Sequence, residues 1–174
     1  PAGYASLGQF QNAVQMITTF ASGAINTGVI KYTAEHYEDE ALQHKVWRTA
    51  GTISLVGSLI TSVLVIIFSD SLAGWFLNDE GLGSVFVWFA SALTLFVFNT
   101  LLLAILNGKK EIHRYVIANI AGSLFALAVT SVMAIQFGLY GALVALAVYQ
   151  SLTFIVTLML IYRASWFKFS YLFG

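Results

Sequence analysis

Four stretches of the chain, residues 49–69, 81–108, 115–135 and 137–162, contain no charged side chain. Each reaches the roughly 20 apolar residues a helix needs to cross the hydrocarbon core of a bilayer. A fifth uncharged stretch, residues 4–30, is long enough but reads differently, because amides and hydroxyls recur along it. The pattern predicts five membrane-crossing helices: span I at 4–30, II at 49–69, III at 84–106, IV at 115–135 and V at 140–162. The expected fold class is therefore an all-α polytopic membrane protein, with residues 1–174 in one unit.

Span I carries the strongest pattern. Wound at about 100° per residue, Gly8, Gln11, Asn12, Gln15, Thr18, Thr19, Ser22 and Asn26 fall within an arc of roughly 120°. Phe10, Ala13, Ile17, Phe20, Ala21 and Ala24 take the opposite face, while Gln9 and Thr27 stray toward the headgroups. Two readings follow. The stripe is either glue, its polar groups bonding across to other helices, or the wall of a water-accessible cavity in which a polar substrate replaces water. Interhelical polar bonds in membranes average only about 0.6 kcal/mol. An unpaired buried amide costs roughly 1–3 kcal/mol. Glue accounts for one or two such residues better than for a full stripe, and polar intramembrane residues mark substrate paths. Gln11, Asn12, Gln15, Thr18, Thr19, Ser22 and Asn26 are accordingly the candidate cavity residues. Lys31, directly after the stripe, either caps a cavity mouth and attracts an anionic head group or snorkels at a helix end.

The other spans read as scaffold. Gly51, Ser54, Gly57 and Ser58 give II a small-residue face, as Ala118, Gly122 and Ala126 give IV, which lets backbones approach closely. Asn99 and Thr100 in III either border the cavity or bond a neighbour.

Composition and charge sharpen this picture. Of the 174 residues 59% are hydrophobic and 9% charged, against about 25% charged in soluble domains. So few charges cannot cover a water-soluble surface. All eight Lys and Arg residues fall between I and II, between III and IV, or after V, and the alternate loops at 69–83 and 137–141 have none. Such asymmetry places the basic loops and the segment after V in the cytoplasm. Trp47, Trp75, Trp88 and Trp166 lie near span ends, where headgroups favour indole rings. The connection at 31–50 is expected to be a solvated loop with a short interfacial helix, its Trp47 dipping toward lipid. The start at Pro1, with no basic n-region, does not read as a signal peptide, and the chain is expected to be a fragment of a longer polytopic protein.

Little points to chemistry. The chain has no cysteine. His36, His44 and His113 lie in loops without the convergent partners a zinc site needs. No phosphate-binding glycine loop or serine elbow occurs, and the carboxylates all fall outside the spans. The sequence predicts no enzyme activity, no metal and no cofactor.

With that topology set out, PAGYASLGQFQN entering span I, GVIKYTAEHYED leaving it, and NTLLLAILNGKKEIHRYVIANI from III to IV resemble the polysaccharide-exporter branch of the MATE-like flippases. The similarity is greatest to O-antigen and enterobacterial-common-antigen flippases. It implies that the chain supplies spans two to six of a first, N-terminal six-helix lobe. It implies a substrate, undecaprenyl-diphosphate-linked oligosaccharide, moved across the bacterial inner membrane by alternating access. Membrane lipids, and a polysaccharide polymerase or chain-length regulator, are implied as partners; nucleic acid is not. The diphosphate-binding cations the family uses are absent from these spans, leaving Lys31 as the one candidate here. Two other functions stay open. A MATE-type drug or cation exporter would favour acidic groups inside the spans, which are missing. A non-transporting membrane scaffold would need the stripe filled by protein contacts.

Overall fold

The computed structural model describes residues 2–22 and 25–173. These residues form helices α1 (Ala2–Ser22), α2 (Asn26–Glu35), α3 (Glu40–Ile67), α4 (Ser69–Leu77), α5 (Gly83–Gly108) and α6 (Ile112–Tyr162). Short 3₁₀ turns follow at Glu80–Leu82 and Phe169–Leu172. No strand occurs among the described residues, and α3, α5 and α6 are each long and apolar enough to cross a membrane. The protein is an all-α polytopic membrane protein.

Helix α6 is two helices in one. In a straight 51-residue helix Gly122 and Thr153 would stand about 46 Å apart. Instead, a Cβ placed on Gly122 would meet Thr153 Cγ2 at 3.1 Å. The chain doubles back at Gly138, whose φ of 62° and ψ of −142° are open to glycine and strained for other residues. The two arms, 112–137 and 139–162, pack side by side, and each exceeds the crossing length.

Helix α5 is the centre of the bundle: 67% of its most apolar stretch is buried, against 28% for α3. It carries two apolar cores in series. Toward its start, Phe86, Phe89, Leu93 and Val97 pack with Phe10, Ala13, Ile17 and Ala21 of α1 and with Leu143 and Ala147 of α6. Phe10 meets Phe86 edge-on, their ring centres 5.4 Å apart, an arrangement that suits the aromatic quadrupole. Toward its end, Leu101, Leu102, Ile105 and Leu106 pack with Trp47, Ile161, Phe167 and Leu172. Hydroxyls stitch the helices between and beside these cores. Ser58 donates to Thr94 Oγ1 at 3.2 Å, Ser62 to the Ala90 carbonyl at 2.9 Å, and Ser151 to the Ala92 carbonyl at 2.8 Å.

The small-residue faces work as close contacts. A Cβ at Gly57 would collide with the Ala21 carbonyl of α1, and one at Gly51 with the Leu172 carbonyl. Ser54 and Ser58 are fully buried beside them.

Several expectations need correcting. Residues 31–50 are largely helical: α2 runs on to Glu35, and α3 starts at Glu40, capped by Asp39, which accepts from the Leu42 N–H at 3.0 Å. Trp47 does not dip into lipid. It is wholly buried, and its Nε1–H donates to Thr33 Oγ1 at 3.0 Å. Gln43 Nε2 donates to the Thr33 carbonyl at 2.8 Å, so the polar side chains of this corner hold α2 to α3. Residues 69–77 form the short helix α4, ended by Asn78 in the left-handed conformation. Helix α1 ends at Ser22 and α2 begins at Asn26. Ala24 lies outside the described residues.

The basic residues gather at one end of the bundle. Lys109 stands over both the Tyr37 and Trp166 rings, at 5.5 and 5.2 Å, and Lys110 stands over Tyr37 at 5.1 Å. These contacts join the α2–α3 corner, the turn after α5 and the segment after α6. The opposite end carries the uncharged and acidic turns, linked by a 3.1 Å hydrogen bond between Ser84 and Tyr140.

Candidate functional site

Helix α1 presents three faces rather than two. Phe10, Ala13, Ile17 and Ala21 are buried against the bundle. Phe20, expected on the face opposite the stripe, points outward and is 72% exposed; Met16 beside it also points outward. Winding explains the difference: the packed face of residues 10, 13, 17 and 21 centres between Phe10 and Ile17, and Phe20 lies about 65° and Met16 about 105° from that centre.

The third face holds the polar stripe, and it opens onto a groove. Gln11, Gln15, Thr18, Thr19, Ser22 and Asn26 line a concavity of ≈ 460 Å³, closed on its other sides by Phe96 and Thr100 of α5 and by Leu146, Tyr149 and Gln150 of α6. A second concavity, of ≈ 410 Å³, lies between α5 and the two arms of α6. It is lined by Asn99, Asn119, Ser123, Thr130, Thr153 and Thr157, among others. The two share Gln11, Leu146, Tyr149 and Gln150, so they form one forked groove around the Tyr149–Gln150 ridge. Among the described residues, no charged side chain lines either branch.

The groove's hydrogen bonding shows what it can do. The stripe hydroxyls are satisfied within α1: Thr18 donates to the Val14 carbonyl at 2.7 Å, Thr19 to Gln15 at 2.8 Å and Ser22 to Thr19 at 3.3 Å. Their oxygen lone pairs remain available as acceptors. The side chains of Gln11, Asn12 and Gln15 are exposed, and none of the hydrogen bonds among the described residues ties them to another helix. Across the groove, Asn99 Nδ2 donates to Gln150 Oε1 at 2.8 Å and Gln150 Nε2 donates to Tyr149 Oη at 2.9 Å. This chain leaves Asn99 Oδ1, on a residue only 2% exposed, without a protein partner. Asn26 Oδ1 and Thr130 Oγ1 are in the same condition. All three residues line the groove. Buried polar groups are ordinarily paired; Gln43 Oε1 and Ser54 Oγ, away from the groove, are likewise without a partner, so the orphans by themselves select no ligand.

Each candidate residue can now be located. Gln11, Gln15, Thr18, Thr19, Ser22 and Asn26 come together in the groove. Asn12 is exposed on α1 at its edge and lines neither branch. Lys31 is exposed on α2, its ammonium 5.5 Å from the Tyr32 ring centre, and it lines neither branch. Asn99 and Thr100 do border the groove, and Asn99 also bonds a neighbour. Sequence reasoning missed Tyr149 and Gln150. Their signal was an amide and a phenol adjacent in the middle of an otherwise apolar span, the same kind of signal that singled out Asn99 and Thr100. Asn119 and Ser123 were missed because they sit among the small residues read as a packing face.

A helical bundle with a polar groove between helices long and apolar enough to cross a membrane defines a class, the all-α polytopic membrane proteins. The chain belongs to the family of polysaccharide biosynthesis proteins, whose family model matches residues 1–173. No curated protein and no solved structure matches it.

Proposed function

We propose that the chain forms part of a flippase that carries lipid-linked oligosaccharide across the bacterial inner membrane by alternating access, without catalysing a reaction. The carrying observation is the forked groove, whose α1 amides Gln11 and Gln15 have no hydrogen bond to another helix among the described residues. Sugars offer donors and acceptors around their rings, and Gln11, Gln15, Asn99 and Gln150 offer the complementary groups without a fixed charge. The family supports a role in polysaccharide biosynthesis. The undecaprenyl-diphosphate carrier, and an O-antigen or related surface unit as cargo, rest on the resemblance of the sequence. The basic end of the bundle faces the cytoplasm in this reading, following the distribution of Lys and Arg.

The groove does not favour the alternatives. A cation exporter would hold acidic groups there, and none lines it. A scaffold would bond the stripe to its neighbours, whereas the interhelical hydroxyl bonds lie on α3, α5 and α6.

The test uses the full-length protein in its host. Gln15→Ala combined with Gln150→Ala is expected to lower surface polysaccharide several-fold and to accumulate the lipid-linked precursor, with unchanged amounts of folded protein. Cysteines at Gln15 and Thr19 should react with a membrane-impermeant maleimide, and cysteines at Ala13 and Ile17 should not. Normal export by the double variant, or equal protection of both cysteine sets, would remove the proposal.

A further inference from the structure

On the side of α1 away from the polar groove, two apolar hollows run end to end along α3. One, of ≈ 470 Å³, is formed by α2 and α3 with Ile25, Val29, Tyr32, Lys45 and Ile53 in its walls. The other, of ≈ 410 Å³, lies between α1 and α3, with Phe20, Val56 and Gly57 in its walls. They share Ile53 and so make one crevice. We propose that this crevice binds one anionic phospholipid of the leaflet on the Lys45 side, its phosphate at Lys45 and one acyl chain along Ile53 to Gly57.

Three features select that occupant. Lys45 is the one charged side chain in the walls, and it has no ion pair among the described residues. The acidic groups Glu35, Glu38 and Asp39 line a different cleft together with Lys110. The Tyr32 hydroxyl, unbonded among the described residues, supplies a second donor at the same end. The length also fits. From Thr49 to Gly57 is about 12 Å along the helix, within the roughly 15 Å that one leaflet contributes to the hydrocarbon core. A lipid seated there reaches no further than the midplane. At Gly57 the crevice ends, because the missing side chain lets the Ala21 carbonyl of α1 press against α3 there, beside the outward-turned Phe20 ring. The polyprenyl carrier is a poorer fit, since its sugar would have to occupy the polar groove on another face of α1.

The test reconstitutes the full-length protein in nanodiscs of phosphatidylcholine with a minor fraction of phosphatidylglycerol. Lipid retained after extraction is then counted by native mass spectrometry. The wild-type protein should retain phosphatidylglycerol in preference to phosphatidylcholine, and Lys45→Gln should reduce that preference about fivefold, as expected for one basic group at an anionic surface. Ile53→Trp, which fills the crevice and keeps the charge, should lower retention of both lipids. Lys168→Gln, an equal charge change elsewhere, should change neither. The assignment fails if the wild-type protein shows no preference, if Lys45→Gln retains as the wild type does, or if Ile53→Trp is without effect because protein already fills the space. Co-purification of a polyprenyl diphosphate in place of the phospholipid would also overturn it. Failure here leaves the polar groove untouched, because no residue is shared.

Discussion

Replacing Gln150 by leucine takes away the oxygen to which Asn99 Nδ2 donates at 2.8 Å. Asn99 is 2% exposed and its Oδ1 already lacks a protein partner, so the whole amide would then be buried without a bond. A buried polar group left unpaired costs about 1–3 kcal/mol. Measured interhelical polar bonds in a membrane protein average about 0.6 kcal/mol and reach about 1.7. The near-complete burial of Asn99 argues for the upper part of that range, and we expect Gln150→Leu to cost about 1.5 kcal/mol. Asn99→Leu removes the orphan acceptor together with the donor, and by the same reasoning should cost less, about 0–1 kcal/mol. In the double variant the second change has no amide to strand, so the cycle should show a coupling of about 1 kcal/mol. Reversible unfolding of the full-length protein and its three variants in bicelles, by steric trapping, measures these terms. Additivity within about 0.5 kcal/mol would refute the pairing. Export measured on the same variants separates structure from function. If the double variant folds normally and still exports at the wild-type rate, these amides do not contact the cargo.

Two further perturbations test the architecture. Gly138→Ala meets no atom within 4 Å, so its cost is the left-handed backbone alone, about 1–3 kcal/mol. Gly8→Ala, on the exposed face of α1 and equally uncrowded, should stabilise by about 0.5–1 kcal/mol; thermal melts of the two that shift the same way would contradict the reversal at Gly138. Thr33→Val keeps the shape of a fully buried side chain and leaves the Trp47 indole N–H unbonded, which should cost about 1–3 kcal/mol. Thr33→Ser retains the acceptor and should cost less, as read by unfolding followed through tryptophan fluorescence.

The uncharged runs alone gave the all-α membrane architecture, because crossing length and absence of charge are local properties that lipid reads directly. The polar stripe of span I was equally legible, since helical winding places its residues without reference to any neighbour. What the stripe faces was not legible. Whether Gln15 is glue or groove wall depends on where α5 and α6 pass, and only packing decided that. Phe20 shows the same limit: lying opposite the stripe did not make it a core residue, because the core contacts α1 off that axis. Trp47 fell to a long-range partner, Thr33, fourteen residues earlier, brought near by the fold of α2 onto α3. Tyr149 and Gln150 became part of the groove only when the chain doubled back at Gly138 and set them against Asn99. Sequence thus determined which segments enter the membrane and which faces are polar, since both follow from each segment's own chemistry. The tertiary structure decided which polar groups meet and which remain unbonded, since those depend on contacts between residues far apart in the chain, 51 positions for Asn99 and Gln150.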